Sequence, residues 1–374
     1  MNGEAKKTPK FDLLMAAAAF ARESGVALND PTLITQFLAA AGGTLTAALQ
    51  SHTLVHGKRV ENLFEAMVVS LGGYSLLKVE DLGRVHAPRH LRAPDFRVVL
   101  KDGRQWLVEV KNVRCKDPKR QRTKLSAAYM RTLDDYAALV GAPLYLAIYW
   151  SLWKIWTLVP PARFRMPGGG VHISMEGAMM ANALGCLGDV SLNTVAPLRL
   201  MFAGTQEEPL MLDGEGLPEN RVPVAKIFSR NVELIDPKDR QLAMVLMQYG
   251  EWPISGPNPV PNDPAGAVEF IAEPVEPSDE GYDGIGTASR IFSRYFSSQT
   301  IAGDQVIQLH GAPVPQWFAP IASWDFKGSR LPLWVFRMQP KVDEPASSDS
   351  VLDPPQPTSA GTPGRIIQES PSRK

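Results

Sequence analysis

The sequence predicts a mixed α/β (α+β) fold, and three observations predict it. An amphipathic stretch from Lys58 to about Leu71, opened by Gly57 and closed by Gly72-Gly73, reads as a helix with a glycine C-cap. Two runs rich in β-branched and aromatic residues, Phe96–Leu100 and Gln105–Lys111, flank an Asp-Gly turn, the short-range signature of a hairpin. A second helical stretch, Thr123 to Val140, ends at Gly141, and Pro143 leads into two apolar strands, Leu144–Trp150 and Lys154–Val159. With Tyr74–Val79 as a further strand, the order is helix, three strands, helix, two strands.

The remaining elements follow from composition. From Phe11 to about Ser51, Ala- and Leu-rich segments broken by Asn29-Asp30-Pro31 predict two or three short helices. Asp81 to Ala93 reads as a loop carrying Arg84, His86, Arg89, His90 and Arg92. Beyond Pro160-Pro161, a Gly168-Gly169-Gly170 turn precedes a helix around Met175–Leu184 and a strand near Leu198–Ala203. Helices are predicted at Pro237–Gln248 and Thr287–Phe296, with a long irregular loop over Gly256–Asp283. The implied organisation is an N-terminal helical extension (1–56), a core domain (57–212), a smaller mixed C-terminal accessory domain (213–340) and a Pro/Ser-rich disordered tail (341–374).

The hairpin carries charges where a plain hairpin has none. Pro94-Asp95 stands at its start, and Glu109-Val110-Lys111 lies on its second strand. Strand pleating puts Glu109 and Lys111 on one face with Leu107, and Asp95, Arg97 and Val99 on one face of the first strand. A two-residue loop at Asp102-Gly103 sends Asp95 to the wrong face. A three-residue loop, Lys101-Asp102-Gly103, with glycine in the left-handed position, pairs Leu100 with Arg104 and Asp95 with Glu109. The same register gathers Phe96, Val98, Leu100, Trp106, Val108 and Val110 into one apolar layer. Two carboxylates and a lysine at one end of a sheet suit metal-assisted phosphodiester cleavage, because carboxylates hold a hard cation that acidifies water and screens phosphate charge.

The formal net charge is zero, yet Lys58 to Lys124 holds sixteen Lys/Arg against eight Asp/Glu, a local excess of eight positives. Arg114, Lys116, Lys119, Arg120, Arg122 and Lys124 follow the Glu-Val-Lys strand directly. Charge alone leaves two readings open, a seat for a phosphate backbone and a solvated loop. Cys115 and Cys186 are the two cysteines, which excludes a disulfide framework or a cysteine-rich zinc site. The N-terminus shows no secretory signal, and Leu144–Val159 is too short to span a bilayer. The expectation is a soluble, cytoplasmic protein without a membrane partner.

With these elements placed, the region 57–160 resembles the PD-(D/E)xK nuclease superfamily and its restriction-endonuclease-like αβββαβ core. The resemblance rests on Pro94-Asp95, Glu109 and Lys111 and on the preceding helix. It implies a metal-dependent nuclease with Mg²⁺, or Mn²⁺, as cofactor and nucleic acid, foremost DNA, as partner. Asp95 and Glu109 would ligate the metal, the Val110 carbonyl would add a ligand, and Lys111 would orient the attacking water and neutralise charge. A first-helix glutamate often joins such a site. Glu61 borders the stripe Val60, Phe64, Met67, Val68 and Leu71, whereas Glu65 lies further into the polar face, so Glu61 is the candidate. Either glutamate also fits a solvated helix charge. The Gln-x-x-x-Tyr pattern of some members is absent, since Tyr136 has no glutamine four residues before it.

Other features carry less. Thr123, Lys124 and Ser126 would open the second helix and could meet phosphate. His52-x-x-x-His56 has ligand spacing without a third ligand. Gly284-Ile285-Gly286 reads as a cap rather than a phosphate loop, and Trp150, Trp153 and Trp156 as core. The rival to a nuclease is a non-catalytic nucleic-acid-binding or interaction protein on the same scaffold.

Overall fold

The computed structural model describes residues 10–81, 85–214, 219, 224–261, 263–311 and 330–337. The predicted disordered tail, 341–374, lies outside the described residues, as does Arg84. The chain divides into two compact units, Met1–Lys58 and Arg59–Lys374.

The first unit contains α1 (Lys10–Ser24), α2 (Leu33–Gln50) and the first turns of α3 (His52–Leu71). The break between α1 and α2 falls where expected: Pro31 interrupts the chain, and Asp30 Oδ1 accepts a hydrogen bond from the Thr32 amide at 2.8 Å. Among the described residues α2 is the one helix long and apolar enough to cross a membrane, with a mean hydropathy of 1.2 and 6% of its residues buried. Its 18 residues rise about 27 Å, just short of a hydrocarbon core of about 30 Å. Helix α3 starts five residues before Gly57, because Ser51 Oγ accepts from the Leu54 amide, and Gly57 is carried inside the helix.

In the second unit, α3 buries Val60, Phe64, Met67 and Val68, the stripe its periodicity predicts. It ends at Gly72, whose φ of +70° lets its N–H donate to Val68 O at 3.0 Å. Gly73 then touches the Leu187 peptide so closely that a Cβ there would lie 2.1 Å from the Leu187 carbonyl carbon.

The strands that follow are β1 (Tyr74–Val79), β2 (Phe96–Leu100) and β3 (Gln105–Val113), then β4 (Arg122–Leu125), helix α4 (Ala127–Val140), β5 (Leu144–Trp150) and β6 (Ile155–Val159). The main sheet has the order β1-β2-β3-β5-β6. Its first three strands are antiparallel, β3 and β5 are parallel, and α4 makes the crossover between them. This is an α+β fold whose main sheet and its two helices follow the order αβββαβ. Phe96, Val98, Leu100, Trp106, Val108 and Val110 pack in one layer with Phe64 of α3. Leu107, Val113, Leu146 and Ile148 face Met130 and Leu133 of α4 across the other side.

Three predicted elements differ. Residues 122–125 are a strand, not the first turn of α4, because their backbone pairs with β7 (Val171–Ser174); the helix begins only after Ser126, whose Oγ caps the Tyr129 amide. The helix expected around Met175–Leu184 is shorter, α5 (Met175–Met180). The stretch Gly256–Asp283 is not an irregular loop. After β8 (Ser191–Thr194), β9 (Leu198–Ala203), β10 (Val224–Ser229), β11 (Val232–Glu233) and α6 (Pro237–Tyr249), it supplies β12 (Ile254–Pro259) and β13 (Ala267–Ala272) to a sheet ordered β11-β10-β9-β13-β12. Strand β12 lies at the edge, where Pro257 and Pro259 forgo no interior ladder bond.

Gly284-Ile285-Gly286 belongs to β14 (Asp283–Thr287), and Thr287 Oγ1 caps α7 (Ala288–Thr300) through the Arg290 amide. Ile291, Phe292 and Phe296 of α7 and Leu242 and Leu246 of α6 share one core with Phe64 and Trp156. Buried Arg59 donates to Thr300 Oγ1 (2.8 Å) and Ser297 Oγ (2.9 Å). The core therefore continues across the predicted boundary at 212/213.

Gly73→Ala is expected to lower stability by at least about 2 kcal/mol, since the new methyl meets backbone that cannot rotate away. Thermal melts of the variant and wild type check it, and an unchanged Tm would show that the contact yields freely.

Candidate metal centre

The hairpin register is the one that a three-residue loop dictates. Gly103 has φ +86°, its N–H donates to Leu100 O at 3.0 Å, and the Leu100 amide donates to Arg104 O at 2.8 Å. The ladder then runs Val99 with Gln105 to Phe96 with Val108. Asp95 is the next residue out, just before the strand, so it is not itself a ladder member. Its backbone O accepts from the Glu80 amide (2.8 Å), and its Oδ2 accepts from the Val110 amide at 2.6 Å. Val110 thus meets the site through its N–H, a contact the sequence does not announce.

Glu109 and Lys111 share the face of β3 that looks toward α4. Lys111 Nζ donates to Glu109 Oε1 at 2.5 Å and to Tyr129 Oη at 2.9 Å, and Tyr129 Oη donates to Glu109 Oε1. Burial lowers the Lys111 pKa, but the Glu109 charge and the Tyr129 hydroxyl outweigh it and raise it, so the ammonium stays charged. Burial and Glu109 raise the Tyr129 pKa, which keeps its phenol a donor. The Arg92 guanidinium sits 4.7 Å from the centre of the Tyr129 ring. Tyr129, in the first turn of α4, is a site residue that sequence reasoning missed.

Three other carboxylates converge. Glu61 of α3, Asp81 just past β1 and Asp95 bring ligand oxygens within 4.8 Å of one another. Among the described residues this is the one such group, so His52 and His56, whose rings stack 5.8 Å apart, form no part of one. Glu61 belongs to the group and Glu65 does not. Asp81 was read only as the start of a loop. Burial pushes the Asp95 carboxyl up to about 7, and the charges of Glu109 and Glu61 add to it against the Val110 hydrogen bond and Lys111. An all-oxygen set gathered around a carboxyl with too little positive charge fits a hard divalent cation such as Mg²⁺, Mn²⁺ or Ca²⁺.

A second acidic group lies alongside with its charge fully met. Burial raises the Glu80 carboxyl, but hydrogen bonds from Arg97, Tyr136 and Lys78 outweigh this and hold it at about 2. Arg97 reaches both oxygens, at 2.6 and 3.2 Å, and Tyr136 Oη donates at 2.7 Å. Tyr136 is thus committed to Glu80, which anchors α4 to β1 and β2.

Arg114, Lys116, Lys119, Arg120, Arg122 and Lys124 are all exposed. Arg122 and Lys124 project from one face of β4, while Thr123 and Leu125 take the other. Thr123 and Lys124 therefore lie on a strand rather than a helix N-terminus, and Ser126 is occupied as the cap of α4. Of the three tryptophans read as core, Trp150 and Trp156 are buried, but Trp153 in the β5–β6 turn is 39% exposed.

The Asp95 shift fixes the sign of a pH effect. Its native pKa lies above the unfolded value of 3.8, so the native state binds the proton more tightly. Native stability therefore falls as pH rises from about 4 to about 7 and is flat above. Asp95→Asn is expected to stabilise the metal-free protein by about 4 kcal/mol at pH 8 and by little near pH 4. Denaturant titrations at the two pH values check this; a gain of equal size at both would remove the assigned charge strain.

No family model matches the sequence, and no curated protein matches it. Among solved structures, the chain is similar to a Holliday junction resolvase, Hjc, from Archaeoglobus fulgidus, with 21% identity over 32% of this chain and 86% of the resolvase and a TM-score of 0.22. A likeness of that size carries no functional inference, and the chemistry rests on the residues themselves.

Proposed function

We propose that this protein is a cytoplasmic, Mg²⁺-dependent nuclease of the PD-(D/E)xK superfamily that hydrolyses phosphodiester bonds, foremost in DNA. The observation that carries the reading is the meeting of Glu61, Asp81 and Asp95 beside the Glu109–Lys111–Tyr129 group at one edge of an αβββαβ sheet. Glu61, Asp81 and Asp95 would hold the cation, with Glu109 close enough to influence Asp95. When bound, a divalent cation lowers the pKa of a water and screens the phosphate. Lys111 would supply a half-buried positive charge toward a phosphate oxygen, where reduced solvent screening strengthens it. Tyr129 holds the Lys111 ammonium and Glu109 in fixed relation, and the exposed cations beyond β3 seat the backbone on either side.

A second reading has one observation behind it. Glu109 is turned to Lys111 and Tyr129 rather than into the carboxylate group, as a nucleic-acid-binding protein without catalysis would permit. Cleavage of single-stranded, duplex and branched DNA with and without Mg²⁺ separates the two. The nuclease reading expects Mg²⁺-dependent products, with Asp95→Ala and Glu109→Ala each lowering the rate by at least about a hundredfold while DNA binding persists. Binding without cleavage of any substrate would leave the rival. Neutralising Arg114, Lys116, Lys119 and Arg120 together is expected to weaken duplex binding and to flatten its log–log salt dependence by about 0.9 per lost phosphate contact. An unchanged slope would return the segment to a solvated loop.

A further inference from the structure

The chain leaving β3 and the turn between β5 and β6 emerge at the same end of the sheet. Val113 pairs with Trp150, and the Ser151 amide donates to Val113 O at 3.1 Å. Lys111 stands two residues, about 7 Å, back along β3. Just beyond that end lies an open pocket of about 450 Å³, within the range of pockets that take small molecules. Its lining includes Trp153 of the β5–β6 turn, 39% exposed, and Met175 and Met179 of α5, the latter 43% exposed. These side chains leave indole and thioether surface open to the pocket.

The polar lining has a definite bias. Gln121 is 6% exposed, and its Nε2 donates to Cys115 O and Asp117 O, both at 2.8 Å, which fixes the amide orientation. Its Oε1, buried with it, has no hydrogen-bond partner. That oxygen is closed off from the pocket, so the acceptor the lining offers a ligand is the exposed Glu176 carboxylate, and Lys119 lines the pocket near the exposed cations Lys116 and Arg120. A partly exposed indole, a carboxylate acceptor and neighbouring cations match an unpaired nucleotide: a ring that stacks, exocyclic amino groups that donate, and a phosphate that the cations meet. A free anion does not suit the interior, because Glu176 repels it. A paired base does not suit it either, since its face is covered by its neighbours.

We infer that this pocket holds one unpaired nucleobase of the bound strand, stacked on Trp153, a short distance along from the phosphate at the candidate metal centre. The inference rests on the proposed nucleic-acid function and adds to it a preference for substrates with unpaired nucleotides near the cleaved bond.

The test uses the full chain and fluorescein-labelled DNA, read by anisotropy with Ca²⁺ in place of Mg²⁺. One probe is fully paired, and one carries a single-stranded gap. Trp153→Ala is expected to weaken binding to the gapped probe about tenfold and to leave the paired probe unchanged. Trp153→Phe, which keeps a ring, retains most of the affinity. Met179→Ala, an independent change in the lining, also weakens the gapped probe alone. If wild type binds both probes and Trp153→Ala binds them equally well, the pocket inference fails while the nuclease reading stands. If wild type binds neither, both fall.

Discussion

One backbone choice governs where the charged side chains of the main sheet stand: the three-residue turn between β2 and β3. Gly103 takes a positive φ that an L side chain adopts at a cost. Because of it, Leu100 meets Arg104, and each later pair follows. A slip of one residue would exchange faces along one of the two strands, either sending Phe96 and Val98 toward α4 or lifting Glu109 and Lys111 out of reach of Tyr129. The apolar layer and the charged edge are thus consequences of the same turn. Burial of Phe96, Val98, Trp106 and Val108 against α3 enforces the register energetically, and the charges ride on it.

That dependence explains what was legible in the sequence. The helix stripe, the hairpin and the order of the core elements follow from periodicity and turn chemistry, which are local. Glu61 was separable from Glu65 because a helix wheel fixes which one borders the buried stripe. Asp81 and Tyr129 were not legible, since each enters through a tertiary approach. Asp81 is delivered by the end of β1, which the Glu80–Arg97–Tyr136 network pins, and Tyr129 by the crossover helix. The same limit applies to β4, whose partner lies some fifty residues later, and to β12 and β13, where Pro and Gly masked an edge pairing. Trp153 was misread for a simpler reason: alternation fails at a turn, and the side chain that breaks step is the one left in solvent.

The continuity of the core past residue 212 changes what the C-terminal half does. Trp156 on β6 donates through Nε1 to Ser293 Oγ of α7 at 3.1 Å, and Arg59 on α3 is held by Ser297 and Thr300. Buried Arg59 must keep these acceptors, because an unmatched buried guanidinium costs several kcal/mol. Helix α7 thereby fixes the roll of α3 about its axis, and that roll decides whether Glu61 reaches Asp95. A segment that carries no catalytic signature still sets the geometry of the site.

Charge balance then distinguishes the two acidic groups on this edge. Glu80 has Arg97, Lys78 and the Tyr136 hydroxyl, and its proton is held off to about pH 2. Glu109 has Lys111 and the Tyr129 hydroxyl. At Asp95, burial and the charges of Glu109 and Glu61 outweigh the Val110 hydrogen bond and the pull of Lys111, and the carboxyl keeps its proton to about pH 7. A fold that needed only a stable edge would be better served by an amide at position 95, which could accept from Val110 without the charge. Retaining the carboxylate costs stability above pH 7, because the charged form is the one that burial and the neighbouring carboxylates disfavour. Two positive charges arriving at those oxygens would recover it, and that is the property expected of a site shaped around a divalent ion.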